Sequence, residues 1–112
     1  MIQVFGTKKC NETKKAQRFF KERGVKFQFI DLSEKPISKG EFRSVVQAIG
    51  GIDNIVNENA KDKDALALIK YIASEDKEEK ILGNQQVIKT PIVRNGKEAA
   101  VGYALDKWKT WI

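Results

Sequence analysis

The chain has no histidine among its 112 residues. That removes Ser-His-Asp and Cys-His catalysis at once, together with any zinc site built on histidine. There is one cysteine, Cys10. A single cysteine excludes an internal disulfide and a Cys-rich metal site, and a reducing cytoplasm is the simplest home for it. Chemistry is left to Cys10, carboxylates, lysines, hydroxyls and backbone groups, so neither a metal nor a bound cofactor is expected. Apolar runs fall far short of the ~20 residues of a membrane span. No charged start leads into a long apolar run, so no signal peptide is expected. The sequon Asn11-Glu12-Thr13 would then not meet the glycosylation machinery.

What the chain does have is charge. Charged residues make up 32% of it and the net charge is +6, which raises nucleic acid, a membrane surface or an anionic small substrate as partners. Most of the lysines are interspersed with acids, as in Lys61-Asp62-Lys63-Asp64, the pattern of a solvated surface. The excess is most local between Lys8 and Arg23, with seven Lys or Arg against two Glu. Aromatic residues do not alternate with those bases, so direct nucleic-acid binding is not expected.

Cys10 lies inside that basic stretch, after the apolar run that ends at Gly6 and just before a helical pattern. That places its sulfur at a helix N-terminus, where free backbone N–H groups and the helix dipole favour an anion. Lys8, Lys9, Lys14 and Lys15 push the same way. The expectation is a thiolate with a pKa below the free value of ~8.5; the alternative is a buried structural cysteine.

Ile2-Gln3-Val4-Phe5 reads as a short strand. Asn11 to Arg23 reads as a helix with Ala16, Phe19, Phe20 and Arg23 on one face and Gly24 as its stop. Val25 to Ile30 reads as a second strand, making a βαβ unit with a parallel pairing. Ser38-Lys39-Gly40-Glu41 has capping-box spacing, and Phe42, Val45, Val46 and Ile49 follow as a helical stripe ended by Gly50-Gly51. Asp53 to Val56 reads as a short helical turn. A helix from Asp62 or Lys63 to Ile72 follows, with Ala65, Leu68, Ile69 and Ile72 on one side. A further short helix ends at Gly83, capped by Ser74 or Asp76. Val87 to Arg94 is β-like, Asn95-Gly96 signals a hairpin, and Glu98 to Val101 returns. Leu105, Trp108, Trp111 and Ile112 form the apolar face of a last helix. There are no repeats, linkers or low-complexity stretches. The order is β-α-β, helical insert, β-β-α.

That order, with a thiol at the first helix and Thr90-Pro91 before the third strand, resembles the thioredoxin fold. The resemblance implies a cis-proline beside the thiol. With the insert included, the chain resembles the ArsC/Spx family of glutaredoxin-type arsenate reductases and Spx-type regulators. The residues that carry this are Phe5 to Ala16, Gly51-Ile52-Asp53-Asn54-Ile55-Val56-Asn57, Lys89-Thr90-Pro91-Ile92-Val93 and Val101-Gly102-Tyr103. The resemblance implies one α/β domain over 1–112. Its thioredoxin-like core would take in 1–32 and 86–112, with an all-helical insert at about 37–84.

The resemblance also implies a nucleophilic Cys10 that forms a mixed species with substrate, released by glutathione or a glutaredoxin. Glutathione would act as co-substrate. The family's oxyanion-holding arginines are missing: Thr90 stands before the proline, and the others fall near Asn57 and near Val101 or Gly102. Arg94 is three residues past the proline, a weak substitute. Point-charge lysines do not reproduce bidentate arginine contacts, so efficient arsenate reduction is not expected. Thr13 occupies the second position of a Cys-x-x-Cys switch, so a dithiol switch is excluded. Gly51 matches a glycine used by Spx-type regulators on the RNA polymerase α subunit; it equally fits a helix C-cap.

Two functions follow as expectations. One is a monothiol reductase in which the amides of Asn11 and Glu12 and the Thr13 hydroxyl stabilise the Cys10 thiolate. Lys8 and Lys9 would attract an anionic substrate, and the backbone at Thr90 would pair with an extended peptide or glutathione. Thr13 fits equally well as an ordinary first-turn residue. The other is an Spx-like regulator or adaptor binding RNA polymerase, with Cys10 dispensable or a simple redox sensor.

Overall fold

The alternating start of the chain forms β1, Ile2–Gly6. Ile2 and Val4 enter one core cluster and Phe5 the other, as a period of two requires. The computed structural model describes residues 1–112. In it β1 pairs in parallel with β2, Phe27–Asp31. On its other side β1 pairs antiparallel with β3, Ile92–Asn95, and β3 pairs with β4, Glu98–Val101. The sheet order is β2-β1-β3-β4. This is the thioredoxin-like arrangement.

Helix α1, Asn11–Glu22, makes the crossover between β1 and β2. Its stripe of Ala16, Phe19 and Phe20 is buried against Val4, Val93 and Trp108. Arg23 ends the stripe by laying its guanidinium 3.9 Å from the Phe19 ring centroid. Gly24, at φ +67°, turns the chain, and Val25 N–H reaches back to Phe20 O at 2.9 Å, the closing bond of a Schellman cap. The same face is covered by α5, Leu105–Lys109. Trp108 is wholly buried there, edge-on to Tyr103. Ile112 lies beyond α5 and is exposed, so it is not part of that apolar face.

The opposite face carries α2, Lys39–Ile49, α3, Lys63–Tyr71, and α4, Ser74–Leu82. Ser38 and Glu41 form the reciprocal capping box at α2, and Gly50 closes it at φ +83°. Asp62 caps α3 through Ala65 N–H at 3.0 Å. At α4 the cap position falls on Ala73, so neither Ser74 nor Asp76 caps it; Glu75 and Asp76 instead serve the dipole from the first turn. Leu68 points to solvent rather than into the α3 core stripe. The hairpin loop is Gly96-Lys97, with Asn95 paired to Glu98. Glycine takes the first loop position at φ +62°, where a side chain is disfavoured.

Within the insert Ile52–Ile55 is a 3-10 turn; past its end Gln85–Val87 is another, and Val56 makes one antiparallel bridge to Ile88. Val87 to Arg94 is therefore not one strand. Its first half bonds to the insert, through Asn57 N to Val87 O and Lys89 N to Ile55 O, both 2.8 Å. Pro91 has no N–H to offer a ladder, so β3 starts at Ile92. The Gln85 carboxamide accepts from Ile37 N at 2.8 Å and donates to Ile37 O at 3.1 Å, stapling the two ends of the insert together.

Candidate active site

Cys10 is the N-cap of α1, with extended backbone (φ −81°, ψ 118°). The residues between Gly6 and Asn11 form a tight turn in which Cys10 N–H bonds Thr7 O at 3.2 Å. The Thr90–Pro91 peptide is cis and lies across from the thiol. Thr90 Oγ1 donates to Cys10 Sγ at 3.1 Å, bridging 80 residues of sequence. The only acceptor near the neutral thiol is Thr90 O, at a long 3.7 Å.

Burial is the largest single influence on Cys10 and works to raise its pKa. The hydroxyls of Thr13 and Thr90 and the backbone N–H groups of Thr13 and Glu12 together outweigh it, and the thiol stands below its ordinary value. The amides are those of Glu12 and Thr13, not Asn11 and Glu12. An N-cap acceptor reaches the second and third helical residues, and Asn11 is the first. Thr13 is fully buried, and its Oγ1 has no partner that meets hydrogen-bond geometry. It stands close enough to favour a thiolate without bonding the neutral thiol. Of the two hydroxyls, Thr90's is the bond already formed.

The lysines act differently from the sequence expectation. Lys8, Lys9, Lys14 and Lys15 are all exposed, and none is among the groups that lower the thiol. Ammonium groups held in water are screened by it. Lys8 instead bears on Asp31. Lys15 pairs with Glu12 at 3.9 Å and lies over the Tyr103 ring. Lys9 lines the cleft beside the thiol. Arg94 is not at the site. It sits level with Gln3 on β1, away from the end that carries Cys10, and bears on Glu41 of α2.

A cleft of about 780 Å³ opens beside Thr90. It is lined by Thr7, Lys9, Ser33, Asn57, Asn59, Lys61, Asp62, Gln85, Gln86 and Thr90; Cys10 does not line it and meets it through Thr90. No arginine lines it. Sequence reading passed over Asn59, Gln85 and Gln86. Their signal was faint: two amide-rich connections, Asn57-Glu58-Asn59 and Asn84-Gln85-Gln86, between apolar segments, on loops of the kind that carry function.

Thr90→Val keeps the side-chain shape and removes the donor. It is expected to raise the Cys10 pKa and slow alkylation at neutral pH several-fold, because a hydrogen bond to the charged form is lost. The rate of alkylation against pH in the two proteins measures this; coincident curves would assign Thr90 no part in activating the thiol.

The sheet order, the thiol at the α1 N-terminus and the proline opposite it define a thioredoxin-like protein built round a single cysteine. The sequence profile of the ArsC family matches residues 5–111, and the chain belongs to that family. It is similar to the global transcriptional regulator Spx 2 of Oceanobacillus iheyensis, with 25% identity over 113 aligned positions covering 94% of this chain and 78% of that protein. It is similar also to YusI of Bacillus subtilis, with 27% identity over 105 positions, 90% of this chain and 89% of that one. Among solved structures it matches an ArsC family related protein from Bacteroides fragilis, TM-score 0.87 at 14% identity, covering 99% of this chain and 97% of that one. An arsenate reductase from Vibrio cholerae matches with TM-score 0.84 at 16% identity, over the same shares of the two chains. At these identities the structural likeness is one of fold. No helix is long and apolar enough to cross a membrane.

Proposed function

We propose that the protein is a monothiol, glutathione-linked reductase acting in a reducing compartment, the cytoplasm, with Cys10 as nucleophile. The observation that carries this is the hydroxyl of Thr90 donating to Cys10 Sγ at 3.1 Å from the far end of the chain. A structural cysteine needs no such donor. The Cys10 thiolate attacks one sulfur of a substrate disulfide. The S–S bond breaks, one half leaves as a thiolate that takes a proton from water, and the other half stays bound to Cys10. Where that half is glutathione, a second glutathione thiolate attacks its sulfur, releases oxidised glutathione and regenerates the Cys10 thiolate. In each turn one external glutathione thiol enters, one substrate thiol leaves and the disulfide passes to oxidised glutathione; the attacking thiol is external because the chain has no resolving cysteine. Thr90 N–H makes no bond within the chain, which leaves it to pair with an extended peptide or glutathione. Lys9 and Lys61 favour anionic groups in the cleft. Arsenate is disfavoured as substrate, because no guanidinium is present to hold a tetrahedral oxyanion.

The test is incubation of the reduced protein with oxidised glutathione, followed by mass analysis. One glutathione should add to Cys10 and come off again with excess reduced glutathione. A thiol that stays free under these conditions would overturn the reading.

A second reading, a regulator that binds the RNA polymerase α subunit, draws on the similarity to Spx 2 and on Gly51. The α2 stop is made by Gly50. Gly51 follows at φ +146°, a backbone conformation that strains any side chain, although a Cβ there would meet nothing within 4 Å. Binding to purified α subunit that survives Cys10→Ser and is lost in Gly51→Arg would establish this role; no binding by the unaltered protein would remove it.

A further inference from the structure

The segment from Val56 to Asn59 divides two cavities. Asn57 and Asn59 face the thiol cleft, while Val56 and Glu58 face a second space of about 460 Å³. This second cavity lies among the Ile52–Ile55 turn, α3 and α4, and shares no lining residue with the first. Val56, Leu66 and Ile69 give it apolar surface. Lys63 and Lys70 come from α3, and seven positions apart they share one face of the helix. Lys77 comes from α4.

Lys77 is the unusual member. Its side chain is only 14% exposed, yet its Nζ has one hydrogen-bond partner, Asp53 Oδ1 at 3.0 Å. An ammonium carries three donors, so two are left for a further acceptor. Asp53 is itself 80% exposed and turned to water. The covered stem holds the ammonium in place beside the cavity, where its two remaining donors can meet a further acceptor. Lys63 and Lys70 take part in no ion pair. Three lysines face two acids, Asp53 and Glu58, around an apolar floor.

We propose that this cavity binds a small anionic amphiphile. The apolar body lies on Val56, Leu66 and Ile69. The head, a carboxylate or a phosphate, takes the free donors of Lys77, with Lys63 and Lys70 completing the positive rim. The volume falls within the ~300–1,000 Å³ of ligand pockets. The disulfide chemistry of Cys10 makes no use of this site, so the inference stands apart from the reductase reading.

The test titrates the full-length protein with octanoate, and separately with octyl phosphate, following backbone amide shifts. Saturable shifts are expected, centred on residues 53–77, for at least one of the two, with a Kd below about 1 mM; the tighter of the two identifies the head. Octylammonium should produce none. Lys77→Met keeps the apolar stem and removes the charge, and should weaken binding by about tenfold or more. Its own amide spectrum reports whether it folds. The double variant Lys63→Gln/Lys70→Gln, at exposed positions, should weaken binding several-fold and serves if Lys77→Met unfolds. Absence of saturable binding by both anions, or equal binding of octylammonium, would overturn the proposal.

Discussion

Replacing Cys10 with serine should abolish disulfide reduction, a loss of at least about a thousandfold, and leave the fold in place. No other group can take over as nucleophile. There is no second cysteine and no histidine to activate a hydroxyl, and a serine hydroxyl at an N-cap is far too weak an acid to ionise near neutrality. Serine is also among the preferred N-cap residues, so α1 keeps its start. Stability should change in a pH-dependent way. The Cys10 pKa is lowered in the folded protein, so between the folded and unfolded values the unfolded chain binds more protons. Stability therefore rises with pH across that window. Measured against Cys10→Ser by urea denaturation, the unaltered protein should gain as pH climbs through the folded pKa. The gain should level off above the ~8.5 of a free thiol and be lost as pH falls. Activity retained in Cys10→Ser would move the chemistry elsewhere.

Gly6→Ala should destabilise the protein by about 3 kcal/mol, the upper end of what overpacking costs. Gly6 closes β1 directly beneath the first turn of α1. A Cβ there would overlap Thr13 Oγ1 and stand 2.5 Å from its Cγ2. Thr13 is fully buried and β-branched, so it has little freedom to turn away. The loss would be a large part of the ~5–15 kcal/mol that holds a domain together, with a fall in Tm on the order of 10 °C. Removing the overlapping atoms with Thr13→Ala should restore part of it, although Thr13 Cβ would still lie 3.0 Å away. A double-mutant cycle by denaturant unfolding should give a coupling of about 1 kcal/mol or more. Simple additivity would show that the cost of Gly6→Ala does not come from the Thr13 side chain.

The fold was largely legible because its signals are local. Period-two stripes, the Ser38–Glu41 box, the hairpin signalled by Asn95-Gly96 and the glycine stops each act within a few residues, and each appears in the structure, the hairpin with its loop one residue later at Gly96-Lys97. What the pattern could not show was pairing. The apolar run Val87-Ile88 reads as strand, but Val87 O accepts from Asn57 and the neighbouring Lys89 N–H donates to Ile55 O, a choice made by tertiary contact and by the proline that follows. Helical stripes also overstate burial at their edges, as Leu68 and Ile112 do. At the site, Cys10, Thr13, Thr90 and Pro91 were readable from position and family resemblance. The lysines misled because sequence adjacency to a thiol says nothing about whether water separates the charges. Arg94 misled because β3 runs away from the sulfur, so each residue past Pro91 is ~3.4 Å farther from it. The carboxamides of Asn57, Asn59, Gln85 and Gln86 reach the cleft from two distant loops, and no spacing rule joins them.

The opening stretch of the chain was expected to hold a reactive thiol because of a helix end and four lysines. The structure keeps the helix end and the Thr13 hydroxyl, leaves the four lysines exposed and adds the hydroxyl of Thr90. The most direct test of that account is the rate of Cys10 alkylation by iodoacetamide as a function of pH in the reduced, folded protein. The account predicts an inflection clearly below the ~8.5 of a free thiol, moving upward in Thr90→Val. An inflection at or above the free value would contradict it.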